Sequence, residues 1–212
     1  MSKVRYHVIM WTLIRVMIVV LSMQTYWALA GGKKVPPTLG EPDTVETPIE
    51  YNGQGLEFRP VDYYTTKAER EIIKKAGRLA YETMHSQCAS DFLMQRKLIQ
   101  TEGWSNARVI AHLKSLKGVV PVSMYYRKRT SAVAYRTPPY KDIYLNRKAF
   151  HPAMPLCEWA ATLAHEGYGH AYGEYDHAYK WNPQRDFSVP YSIGGSSIHN
   201  KDVFQVCCKE PQ

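Results

Sequence analysis

Two cysteines stand side by side near the end of the chain, Cys207 and Cys208, and the only others are Cys88 and Cys157. Neighbouring residues make a strained disulfide, because their Cα atoms are held closer than the bond prefers. The favoured arrangement therefore ties Cys88 and Cys157 each to one member of the C-terminal pair, and leaves open which goes to which. Either pairing pins the tail to two separate helices. A metal site built on these cysteines is the rival, and the lack of a C-x2-C unit weighs against it.

Structural disulfides need an oxidising compartment, and the N-terminus supplies a route to one. Lys3, Arg5 and His7 precede an apolar run ending at Val16 to Met23, and Ala28-Leu29-Ala30 has the small-x-small pattern of a cleavage site. Residues 1–30 thus read as a secretory signal, which makes the protein secreted or periplasmic. An uncleaved anchor is the alternative, but Arg15 splits the run and leaves no stretch of about 18 apolar residues. Membrane contact is expected only through this segment, if it is retained.

With 212 residues, 45% of them apolar, the chain has the make-up of one or at most two ordinary globular domains. Disorder, collagen and coiled coil are excluded. Cleavage at residue 30 would remove three of the 27 basic residues, Lys3, Arg5 and Arg15, and none of the 19 acids. The mild positive excess that remains is mostly a solvated face and gives no argument for nucleic acid. Sixteen Tyr and five Trp suit a surface that binds extended polymers.

Residues 31–55 are rich in Pro, Gly and acids without an apolar period, a linker or draped N-terminal arm. Beyond it, residues 56–212 predict an α+β domain. Ile72, Ala76, Leu79, Ala80, Thr83 and Cys88 recur at helical steps and predict a long helix over 67–88. Ser105 caps a second, whose face is Val109, Ile110, Leu113 and Leu116, with Gly118 as its stop. Three short strands follow at 119–126, 131–135 and 142–146, the first with Pro121 at an edge or strand start. The basic run Arg127 to Arg129 suits a solvated hairpin tip. A last helix begins near Pro155 and carries Trp159, Ala160, Leu163 and Gly167 on one face.

That helix runs into the most informative stretch, HEGYGHAYGEYDH from His165 to His177, with three His, two Glu and one Asp. A catalytic zinc takes three or so neutral imidazole or carboxylate ligands and keeps a position for water, whose pKa falls to about 7. A nearby Glu then takes the water's proton. The stretch resembles the zincin metallopeptidases. His165-Glu166 opens like their H-E-x-x-H helix, and His170 to Asp176 is similar to the H-x-x-G-x-x-[HD] continuation of metzincins. The resemblance implies Zn2+ as cofactor, His165 and His170 as ligands, Glu166 as general base, and an edge strand at 142–146, including Tyr144 and Leu145, along which an extended peptide adds.

The two histidines here are five apart, where the family has four. On a regular helix a four-residue step turns a side chain by about 40°, and a five-residue step by about 140°. Three arrangements repair this. A π-bulge adds one residue to the turn, made cheap by Gly167 and Gly169. Alternatively the helix ends near Gly169, or the ligands are His170, Glu174 and His177 on a continuing helix. The first two keep His165-Glu166 meaningful and are preferred. The third ligand is then Asp176 or His177, with His177 favoured as an imidazole.

Metzincins also carry a Met-containing turn beneath the metal, and this chain has no Met after Met154. The turn-rich segment 186–195 is the candidate for that place. It offers Tyr191 to stabilise an oxyanion, with a buried, satisfied tyrosine as the alternative. His199 is a reserve ligand, and His85, His112 and His151 read as helix-surface or loop residues. The expected activity is hydrolysis of a peptide, a protein or the peptide stems of a cell wall. The rivals are a non-catalytic zinc-binding protein and a metal-free, disulfide-stabilised protein that binds envelope polymers.

Overall fold

Leu56 and Phe58 alternate with Glu57 and Arg59, and this short period-two pattern forms the first strand, β1 (Leu56–Pro60). The computed structural model describes residues 53–126, 134–136, 141–176, 182, 184–195 and 200–209. All of them belong to one unit, Thr38–Gln212, and the expected signal segment lies outside the described residues. β1 was not anticipated by the sequence reading, because the expected arm ends just where it begins.

The sheet has the order β1-β2-β4-β3, with β2 (Gly118–Tyr125), β3 (Ala134–Arg136) and β4 (Ile143–Asn146). β1, β2 and β4 are parallel to one another, and β3 joins β4 antiparallel. Two expectations fail here. Segment 142–146 is not an edge, since β4 is paired on both sides, so no peptide adds along Tyr144 and Leu145. Nor do the first two expected strands form a hairpin: β3 pairs with β4 and not with β2, and the run 127–129 itself lies outside the described residues.

Pro121 also sits in an interior strand rather than at an edge or start. Gly118 N–H donates to Gly55 O and Val122 O accepts from Val61 N–H, so even-numbered residues of β2 face β1. Alternation turns the Pro121 nitrogen to the other side, where pairing with β4 starts only at Val122. Its missing donor therefore costs no ladder bond.

Helix α1 (Lys67–His85) starts at a capping box, in which Thr66 and Glu69 satisfy each other's backbone N–H. The expected helix over 67–88 stops short because Ser86 adopts extended backbone at φ −67°, ψ 157°. Its hydroxyl bonds Thr83 O and accepts from Ala89 N–H, closing α1 and opening α2 (Gln87–Gln95) in one residue. Helix α3 (Asn106–Ser115) is capped by Ser105 as expected. Helix α4 (Leu156–Ala164) lays Trp159, Ala160 and Leu163 into a core shared with Ile73, Ala76 and Ala80 of α1 and with Val120, Val122, Ile143 and Leu145 of the sheet.

Two short helices close the chain, α5 (Val189–Ile193) and α6 (Val203–Cys207). The adjacent cysteines do split: Cys207 bonds Cys88 in α2 and Cys208 bonds Cys157 in α4. Two disulfides fit an oxidising compartment. Among the described residues no helix is long and apolar enough to cross a membrane.

Candidate metal centre

Helix α4 does not stop at Ala164 but widens into a π-helical segment, His165–Ala171. Its bonding is i to i+5, as in Tyr172 N–H to Gly167 O at 3.0 Å, so residues five apart fall on one face. This is the first of the three expected repairs. The continuing helix through His170, Glu174 and His177 is overturned: the segment ends at Ala171, and Glu174 is exposed with φ +58°.

The two glycines matter for close approach more than for backbone freedom. A Cβ on Gly167 would lie 2.6 Å from two ring atoms of Phe58 in β1, and one on Gly169 would lie 2.9 Å from Pro190 in α5. The widened turn is wedged between the sheet and α5, and only glycine fits at either contact.

On that turn His165 Nε2 and His170 Nε2 face each other at 3.3 Å. Each ring is aimed by its other nitrogen: His165 Nδ1 is 2.6 Å from Gly194 O, and His170 Nδ1 is 2.7 Å from Tyr175 O. A carbonyl only accepts, so both Nδ1 atoms carry the proton, and whenever both rings are neutral their Nε2 lone pairs face each other. Two lone pairs at this distance repel unless a cation lies between them. Nitrogens bound to zinc at about 2.0–2.1 Å with tetrahedral angles are themselves about 3.3–3.4 Å apart. The backbone carbonyls behind each ring are the outer support that metal-bound histidines ordinarily have.

The support for His165 is itself held. Gly195 N–H donates to Asp202 Oδ2, and Asp202 is buried at the N-cap of α6. Arg96 Nε bonds Ser192 Oγ and its Nη2 reaches Asp186 O and Asn200 O, with the rings of Phe92 and Phe187 each 5.1 Å from the guanidinium. Burial lowers the Arg96 pKa, against the opposing charges of Asp186 and Asp202. Neither Arg96 nor Asp202 was singled out from sequence. The Asp202–Gln205 capping box was the one signal available.

Tyr191, expected near the metal, stands edge-on to His165 with ring centroids 4.9 Å apart. The Arg185 guanidinium lies over the Tyr191 ring, its carbon 4.0 Å from the ring centroid. The segment expected to be turn-rich holds a 3-10 turn, Arg185–Phe187, followed by α5.

Glu166 is buried, and Asp176 is exposed. Among the described residues neither joins the histidine pair in a group of three metal-binding side chains. His177 and His199 lie outside the described residues. Tyr175, whose carbonyl holds His170, has a buried hydroxyl, and burial followed by the charge of Glu102 raises its pKa to about 12. His85 and His112 differ from their expected surface places. The His85 ring nitrogens meet Tyr81 O and Lys114 O, and His112 is set edge-on between Trp104 and Tyr175. His151 is exposed, as expected.

No family model, no curated protein and no solved structure matches this chain.

Proposed function

We propose that the protein is a secreted or periplasmic zinc-dependent peptide hydrolase with a zincin-like arrangement, its metal held by His165 and His170. One observation carries the reading: two imidazoles, each fixed through Nδ1 to a carbonyl, bring their Nε2 atoms to 3.3 Å. The π-helical turn supports it, because it gives a five-residue spacing the geometry that the family resemblance attaches to four. His177 is the proposed third ligand, with Asp176 as the alternative.

Bound zinc would polarise the scissile carbonyl and lower the pKa of water. Glu166, buried and next in the chain to His165, would act as the general base towards the attacking water and return the proton to the leaving amine. Tyr191, edge-on to His165, donates its hydroxyl to the oxygen on which charge develops. The substrate is a peptide, a protein or a cell-wall peptide.

The deciding experiment measures metal by mass spectrometry in the dialysed protein and in a His165→Ala/His170→Ala variant. About one zinc per chain, lost in the variant, is the expected result. A folded, zinc-free wild type leaves a shared proton between the rings and sinks the reading. Glu166→Gln should keep its zinc while turnover falls by a factor of at least 100 or so. Unchanged turnover removes Glu166 from the mechanism.

A further inference from the structure

Arg185 stands out among the basic residues. Its backbone is fixed: Arg185 N–H donates to Asn182 O, and its carbonyl accepts from both the N–H and the Oγ of Ser188. Its side chain is the opposite case. The half-buried guanidinium has its Nε shut off from solvent with no hydrogen-bond partner, and no carboxylate among the described residues pairs with it. The adjacent Asp186 turns elsewhere, accepting from Asn200 Nδ2 at 3.2 Å. An Nε closed to solvent is closed to a ligand as well, so a carboxylate is taken end-on by the two Nη groups, which bond no described residue, through two parallel bonds.

The position says what that carboxylate belongs to. The guanidinium carbon is 4.0 Å from the centroid of the Tyr191 ring, and that ring is 4.9 Å from the ring of His165. Even laid end to end, these two distances put Arg185 within reach of a peptide bound at the histidine pair. One extended residue spans about 3.5 Å, so the reach amounts to two or three residues at most.

We infer that Arg185 binds a substrate carboxylate, so that the site selects peptides bearing a negative charge within three residues of the bond presented to His165 and His170. The inference rests on the hydrolase reading for what is cleaved, but not for the carboxylate preference itself. The carboxylate comes from either of two sources, a free C-terminus or an acidic side chain. A C-terminal carboxylate makes the enzyme a carboxypeptidase, and a side chain makes it an endopeptidase selective for acidic residues.

The test is calorimetric binding to the full zinc-loaded chain in a Glu166→Gln background, so that no probe is consumed. Three probes are compared: N-acetyl-Ala-Ala-Ala with a free carboxylate, N-acetyl-Ala-Glu-Ala amide, and the neutral N-acetyl-Ala-Ala-Ala amide. One of the charged probes should bind at least tenfold tighter than the neutral one, and which one identifies the source. Arg185→Gln should erase that preference with zinc content unchanged, while Arg185→Lys keeps part of it. Arg78→Gln, on the exposed face of α1, should keep all of it and so exclude a bulk charge effect. Equal affinity for all three probes overturns the inference. So does a preference that survives in Arg185→Gln, which is what a carboxylate held by metal alone produces, or a loss of zinc in that variant. Failure of the hydrolase reading shows separately, as absence of zinc or of cleavage in the unsubstituted enzyme.

Discussion

Gly167→Ala tests whether the π-helical turn is held in place by the sheet. The added methyl carbon would lie 2.6 Å from Phe58 Cε1 and Cζ, where carbons in contact prefer about 3.5–4.0 Å, so the ring must retreat by about 1 Å. Phe58 has nowhere to go. It is 4% exposed, and on its other side a Cβ at Gly77 of α1 would lie only 2.9 Å from Phe58 Cβ. Overpacking of this kind costs about 1–3 kcal/mol, and the higher helix propensity of Ala returns at most about 1 kcal/mol. The net loss of about 1–2 kcal/mol lowers Tm by several degrees, measured by thermal and urea denaturation. Because the displaced turn carries both histidines, zinc affinity should fall at least tenfold as well. Phe58→Leu is the partner variant. In its background the same methyl enters vacated space, and Gly167→Ala should cost nothing or stabilise. An equal penalty in both backgrounds refutes the wedge and leaves the backbone of the turn itself as the constraint.

Glu69 links stability to acid. Burial raises its pKa, but the hydrogen bond and charge of Arg147 with the Thr66 N–H outweigh burial, and the net shift is downward from 4.5. A carboxyl depressed on folding contributes stability above its unfolded pKa and loses it as pH falls through the folded one. Wild type should therefore lose stability relative to Glu69→Gln between about pH 5 and pH 3 in urea titrations, and parallel curves would remove this pair from the acid response. The Cys157–Cys208 bond closes a loop of 51 residues. In the chain-entropy account its loss costs about 4 kcal/mol, so a Cys157→Ser/Cys208→Ser variant should melt well below wild type. A change under 1 kcal/mol or so would mean that the unfolded chain is already held by the other bridge.

Much of this was legible because the signals were local. Ser105 marks a helix start by the hydroxyl it offers to the third residue beyond. The paired cysteines announce by elimination that each bonds a different distant cysteine, though not which, since neighbours cannot bond each other well. The spacing of His165 and His170 narrowed the turn to a π-bulge or an early helix end, and the π-helical turn is the one that formed. Sheet order was not legible. Whether β3 pairs with β2 or β4 depends on packing of residues far apart in sequence, and Tyr144 and Leu145 carry no mark that distinguishes an inner strand from an edge. Ser86 was missed because its neighbours keep the helical period through the break. Arg96 and Asp202 were missed because, the Asp202–Gln205 capping box apart, what they hold lies far off in the sequence and is mostly backbone, which has no residue-specific signature.

The support behind His165 also fixes an order of events. Its Nδ1 leans on Gly194, the next residue is tied to Asp202, and Asp202 caps the helix that two disulfides bolt down. All of these leave the ribosome after His165 itself. The imidazole therefore acquires its final aim only once the later segment has docked, and oxidation of the cysteines, which needs an oxidising compartment, then holds that segment in place. Maturation of the site thus has a built-in delay: the histidine pair stays unset until the tail has docked, and oxidation of the tail is the step that locks it.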